Sequence, residues 1–262
     1  MTENLKLGTI DFFNQGMDEY TLIAVKAPLE ETIQAFINIS KNRKTRRRSN
    51  YSSMRSEDRP VTKLSIHRCE NILVKESSED EEEVSYSIPF IAVKNSEWTV
   101  ILRSYGAEID DAPDEAKDLS AELATTSLML MEEDTSAALR YEWFENGDRL
   151  EYFEQADDEL YFESKSREKP DIKFNDWDEE VEEDYDPDAE YDASKQPRVQ
   201  FVDAFFRELG IYLPAAYAVG DDQQPSLAVL KSSLGTITRA DWLTIEMELE
   251  TKEKIHDPDD DE

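Results

Sequence analysis

The sequence predicts an α+β fold: a largely antiparallel sheet with about three helices, broken up by charged flexible segments. β-rich runs recur along the chain with short turns between them, whereas apolar residues at helical spacing occur in three stretches only. An Asn146-Gly147 pair sits between two β-rich runs, and Asn-Gly supplies the positive φ values of a tight hairpin turn.

"EYTLIAV" at 19–25 is rich in β-formers and reads as the first strand. Pro28, Glu30 and Glu31 then suit the first turn of a helix, by fixed φ and by charge against the dipole. Leu29, Ile33, Phe36 and Ile37 give that helix, about 28–39, one apolar stripe. "KNRKTRRRSNYSSMRSEDR" at 41–59 has no apolar periodicity and holds eight Lys or Arg against two acids, so 41–60 reads as a mobile basic loop. Residues 61–75 and 84–93 look like two strands joined by the acidic turn "ESSEDEEE", with Pro89 pushing the second toward an edge or a bulge. "EWTVILR" at 97–103 is another strand. It echoes the first, Glu19-Tyr-Thr-Leu-Ile against Glu97-Trp-Thr-Val-Ile, and each precedes a helix, which raises a duplicated strand-helix unit.

The second helix begins near Pro113 and turns Ala116, Leu119, Leu123 and Ala124 inward. "TSLMLM" reads as a buried strand; 138–145 and 149–154 flank the Asn-Gly turn, and "ELYFES" adds a strand. Val202, Phe205, Phe206 and Leu209 define the third helix, with Gly210 at the position that ends it. "SLAVLK" and "WLTIEMEL" are the last strands, and Leu243, Ile245, Met247 and Leu249 alternate as in a half-buried one. Residues 1–169 therefore form an α+β region and 170–197 an acidic linker or recognition segment. Residues 198–250 complete the same domain, and 251–262 form an acidic tail.

The net charge of −33 is concentrated. Setting aside the +6 of 41–59, the −5 of "EDEEE", the −11 of 176–192 and the −5 of "DPDDDE" leaves −18 over the other 215 residues, an ordinary foldable balance. Such a chain repels phosphate, which argues against nucleic acid and anionic lipid and toward a basic protein partner. A lone cysteine, no leader and no run of about 18 apolar residues lead us to expect a cytoplasmic protein without a membrane span.

No catalytic motif stands out. His67 and Cys69 share a strand face but lack further ligands or a base, so an ordinary buried or edge-strand pair is the stronger reading. The seven glycines form no phosphate-cradling loop, and no cofactor is expected. Asp184, Asp186, Asp188, Glu190 and Asp192 follow a calcium-loop count, but Ala189 and Lys195 stand where the turn glycine and closing glutamate belong, so no metal site is expected. In the same stretch, Trp177, Tyr185 and Tyr191 interrupt Glu179, Glu180, Glu182, Glu183, Asp184, Asp186 and Asp188, pairing steering charge with aromatic contact area. These ten residues are the candidate binding segment. The basic loop, with Arg43, Lys44, Arg46, Arg47 and Arg48, is expected to pair with it in fluctuating, salt-sensitive contacts.

The expected function is a non-enzymatic acidic binding protein: an adaptor, chaperone-like module or inhibitor. The alternatives are an enzyme with an unrecognised carboxylate site and a nucleic-acid-associated regulator using the basic loop. A pocket with convergent buried carboxylates would favour the enzyme; a flat acidic face with exposed aromatics would favour the binder.

Overall fold

The computed structural model describes residues 8–13, 19–42, 61–70, 86–103, 112–133, 138–156, 159–172, 195–213 and 236–249. In chain order the elements are α1 (Ile10–Phe13), β1 (Glu19–Val25), α2 (Leu29–Asn42), β2 (Val61–Cys69), β3 (Tyr86–Val93), β4 (Thr99–Arg103), α3 (Ala112–Glu122), β5 (Thr126–Glu133), β6 (Ala138–Glu145), β7 (Asp148–Ala156), β8 (Glu159–Ser164), α4 (Pro197–Glu208) and β9 (Ile237–Leu249). The nine strands make one antiparallel sheet in the order β2-β9-β3-β4-β1-β5-β6-β7-β8.

Helices cover both faces of the sheet centre, which is why its strands are apolar on both sides. In β1, Leu22 and Ala24 enter the core beneath α4, while Ile23 and Val25 enter the core beneath α2 and α3. β5 divides likewise, with Leu128 and Leu130 on one face and Met129 on the other. Leu29, Ile33 and Phe36 of the α2 stripe are buried and Ile37 is half-buried, and Phe36 meets the edge of Phe90 at 5.2 Å. On the opposite side Val199, Val202, Phe205 and Phe206 of α4 are buried. Gly210 (φ 74°) ends α4 by letting its own N–H and that of Ile211 turn back to the carbonyls of Arg207 and Phe206.

The hairpin expected at Asn146-Gly147 is present. β6 and β7 pair with Glu145 opposite Asp148, and the two turn residues have φ of 51° and 83°. Gly147 also donates to Ser120 Oγ (3.1 Å), which in turn donates to the Thr125 carbonyl (2.6 Å), so the turn is tied to the end of α3.

Several expectations need correction. β2 and β3 are not neighbours, because β9 lies between them; its 13 residues are long enough to pair with both. β3 is consequently an interior strand, and Pro89 is accommodated because the ladder to β4 begins only at Phe90. β9 is buried on both faces around Trp242 and Leu243 instead of being half-buried throughout. Ala124 is exposed and has φ 47°, so it lies in the turn after α3 and not on its inner face. α2 continues through Lys41 to Asn42, taking the first two residues of the basic stretch into the helix.

β1 and β4 lie side by side with Ile23 opposite Ile101, and each precedes a helix on the same face. Their flanks differ, a β5–β8 meander on one side and interleaved β3, β9 and β2 on the other, so duplication is not confirmed. "SLAVLK" lies outside the described residues.

Candidate functional site

Carboxylates outnumber cations in this chain, so the informative question is where each cation goes. Each of the eight described arginines has a carboxylate oxygen within 3.5 Å. The buried acids Glu115, Glu142, Glu151, Asp203 and Asp241 are all among their partners, as the desolvation of a carboxylate demands. These pairs form three groups of interest.

The first group lies on the outer strands, on the face that α3 covers only near the hairpin. Strand alternation puts Arg140 and Glu142 of β6 on this face together with Tyr152 and Glu154 of β7 and Glu159, Tyr161 and Glu163 of β8. A bulge opposite Trp143 and Phe144 turns Arg149 onto it as well. Glu142 is held by Arg140 and by Arg149 (3.3 Å), and Arg149 also reaches Glu163 (2.9 Å). Both guanidiniums lie over the Tyr152 ring, at 5.2 and 5.1 Å from its centroid. The Tyr152 and Tyr161 hydroxyls donate to Glu154 and Glu159 respectively. Burial, then the bond to Glu154, pushes the Tyr152 phenol up to about 12. Tyr161 is 52% exposed and is the one large hydrophobic side chain among the described residues that stands open to solvent. The result is a broad face of glutamates and tyrosines whose arginines are already paired.

On the reverse side of the same strands, Tyr141, Phe153, Phe201 and Phe205 stack around the buried Glu151. Tyr141 donates to Glu151 Oε1 (2.5 Å), and Arg167 Nη1 donates to the same oxygen (2.9 Å). Burial first, and then the bond to Glu151, raises the Tyr141 phenol far above its ordinary range and keeps it a donor.

The third group joins sheet to helix. Asp241 of β9, fully buried, accepts from Arg68 of β2 and from Arg239, and both guanidiniums reach Glu30 in the first turn of α2. Hydrogen bonding from Arg68 holds the Glu30 carboxyl below its usual value and raises the Arg68 guanidinium in turn.

A groove of about 650 Å3 opens at the end of the sheet, where Lys26, Pro28, Trp98, Thr125 and Asn146 meet. Among the described residues its carboxylates, Glu97 and Glu145, are exposed, and none of the buried acids lines it. Among the described residues no three His, Cys, Asp or Glu are placed to hold a metal ion.

Trp177, Glu179, Glu180, Glu182, Glu183, Asp184, Tyr185, Asp186, Asp188 and Tyr191 lie outside the described residues, as do Arg43, Lys44, Arg46, Arg47 and Arg48. His67 and Cys69 are exposed on the edge strand β2. The glutamate–tyrosine face was missed, although "YEWFENGDRLEYFE" and "ELYFES" carry the period-2 signal that places its members on one side. No family model, curated protein or solved structure matches the chain.

Proposed function

We propose that this chain is a non-enzymatic binding protein, an adaptor, chaperone-like module or inhibitor, whose acidic surface engages a basic protein. The observation that carries the reading is the open face of β7 and β8, where Glu154, Glu159 and Glu163 stand with Tyr152 and Tyr161 and the neighbouring arginines are engaged. Exposed carboxylates steer a cationic partner, and tyrosines add contact area at low entropic cost. The acidic and aromatic stretch at 176–192 repeats that chemistry in sequence. An enzyme would be favoured by buried carboxylates converging on a pocket; the described buried acids instead sit on arginines, away from the groove. With every described arginine engaged by a carboxylate, the sheet is a poor phosphate binder. No helix among the described residues is long and apolar enough to cross a membrane; a cytoplasmic location is part of the same proposal and is supported by the single cysteine in the chain.

Titration of the full chain with an oligolysine peptide at low and high salt tests this. Binding should weaken steeply with salt and fall about tenfold when Glu154, Glu159 and Glu163 are changed to Gln and Tyr161 to Ala. Binding indifferent to both salt and these changes would overturn the reading.

A further inference from the structure

Glu151 is 1% exposed and lies among rings, an expensive place for a carboxylate. Its Oε1 takes both of its hydrogen bonds, from Tyr141 (2.5 Å) and Arg167 (2.9 Å). Its Oε2 is buried with no hydrogen-bond partner among the described residues, and so is the Nε1 of Trp143, the residue directly opposite on β6. The Arg167 guanidinium lies 4.5 Å from the centroid of Phe205 and 5.4 Å from that of Phe201. Ring faces above a carboxylate are the recognition chemistry of a guanidinium, which stacks on aromatic rings and pairs with both oxygens of a carboxylate through its planar fork.

Arg167 fills this place incompletely. It reaches one carboxylate oxygen through one nitrogen and leaves the other oxygen unmatched. It also comes from a surface stretch, since Lys165, Ser166, Glu168 and Lys169 around it are all exposed. That stretch is held by a turn on Ser164 Oγ, which accepts from the N–H groups of Ser166 and Arg167, and by Lys169 Nζ donating to the Leu160 carbonyl (3.0 Å). Withdrawing Arg167 therefore displaces no buried apolar residue of its own segment.

We propose that Glu151, Phe201 and Phe205 form an arginine-binding site that Arg167 occupies as an internal stand-in, and that an arginine of a basic protein partner enters it by displacing Arg167. This rests on the reading of the chain as a binder of basic proteins and names the side chain recognised. An entering guanidinium gains the second hydrogen bond, to Oε2, that Arg167 does not make. The tethered Arg167 competes at an effective concentration on the order of mM, so an arginine without further contacts displaces it poorly. A partner chain that also lies on acidic surface supplies those contacts. Lysine fits less well, because a compact ammonium neither stacks nor forks.

The test is calorimetric titration of the full chain with a short neutral peptide bearing one arginine, and with its lysine counterpart. The chains compared are the unaltered protein, Arg167→Ala, and Arg167→Ala combined with Glu151→Gln. Removing the competitor should tighten arginine-peptide binding at least about tenfold and leave it about tenfold tighter than lysine-peptide binding; the added Glu151→Gln should abolish the gain. Equal affinity with and without Arg167, or no arginine preference in folded Arg167→Ala, overturns the site. Should Arg167→Ala fail to fold, hydrogen exchange on the unaltered protein decides. A saturating arginine peptide should speed exchange at the Ser166 and Arg167 amides, and unchanged exchange overturns the site. If oligolysine still binds in a salt-sensitive way while the arginine effect is absent, this site alone falls. If the arginine effect is present without oligolysine binding, the site stands and the wider reading falls.

Discussion

Asp241→Asn tests whether the arginine–carboxylate groups hold the fold or merely decorate it. Asp241 is fully buried and accepts four hydrogen bonds: from Arg68 Nε (3.0 Å) and Nη2 (2.5 Å), and from Arg239 Nε (2.7 Å) and Nη2 (2.7 Å). Asparagine keeps the shape but removes the charge, and turns one acceptor into a donor aimed at two guanidiniums. Breaking a buried ion pair from one side costs about 3–5 kcal/mol. Part of that is recovered, because the Arg68 and Arg239 side chains are 23% and 32% exposed and retain Glu30 and Glu70. We therefore expect a loss of about 2–4 kcal/mol, a large share of the roughly 5–15 kcal/mol of a typical domain. Urea unfolding followed by tryptophan fluorescence measures it, with an unchanged slope showing that the surface exposed on unfolding is the same. Glu30→Gln is the internal control: its side chain is 57% exposed, so its loss should stay below about 1 kcal/mol. A loss under about 1 kcal/mol for Asp241→Asn, or one matched by Glu30→Gln, would refute the assignment of the burden to the buried charge.

Gly147→Ala should destabilise more than Gly210→Ala. Both positions have positive φ, 83° and 74°, which costs a side chain about 1–2 kcal/mol, but an added Cβ at Gly147 would lie 2.9 Å from Ala121 Cβ while nothing among the described residues lies within 4 Å at Gly210. Urea midpoints in the opposite order would contradict the tie between the hairpin turn and α3. The phenols give a pH signature. The raised Tyr152 value means a stabilising contribution fully present below the ordinary phenol value of 10 and lost as pH rises toward about 12. Absorbance titration of the 11 tyrosines should show a late fraction that Tyr152→Phe diminishes; one uniform step near 10 in the folded protein rules this out.

How much of this was legible in the sequence depends on how far apart the cooperating residues lie. The hairpin, the stripe of α4 and its glycine end were readable because turn chemistry and helical period act over a few residues. Glu151 could have been found the same way. It alternates with Phe153 and Gln155 on β7, so period 2 alone puts a carboxylate on the aromatic side. Arg149 could not, since only the bulge moves it to the other face. The Asp241 group was out of reach for a different reason. Arg68 lies 38 residues from Glu30 and 173 from Asp241, and they meet only because β9 inserts between β2 and β3. Local patterning reports that a strand exists; it does not report which strand lies next to it.

The same limit bears on the basic stretch at 41–59. From composition alone its arginines look exceptional in an acidic chain, yet arginine beside carboxylate proves to be the rule within the sheet, down to the fully buried Asp241 and Glu151 side chains. Folding therefore matches the described arginines internally and leaves glutamates and tyrosines facing outward on β7 and β8. A cationic role toward a polyanion would have to come from residues outside the described ones, such as Arg46, Arg47 and Arg48, in a chain whose net charge of −33 repels phosphate. On the proposed reading a basic partner would meet the opposite situation: the open glutamates would draw it in, and Arg167, which comes from an exposed surface stretch to a buried carboxylate, is the arginine it would replace. If the proposed exchange holds, competition between an internal and an incoming arginine for Glu151 gives the acidic surface a selectivity that net charge by itself does not supply.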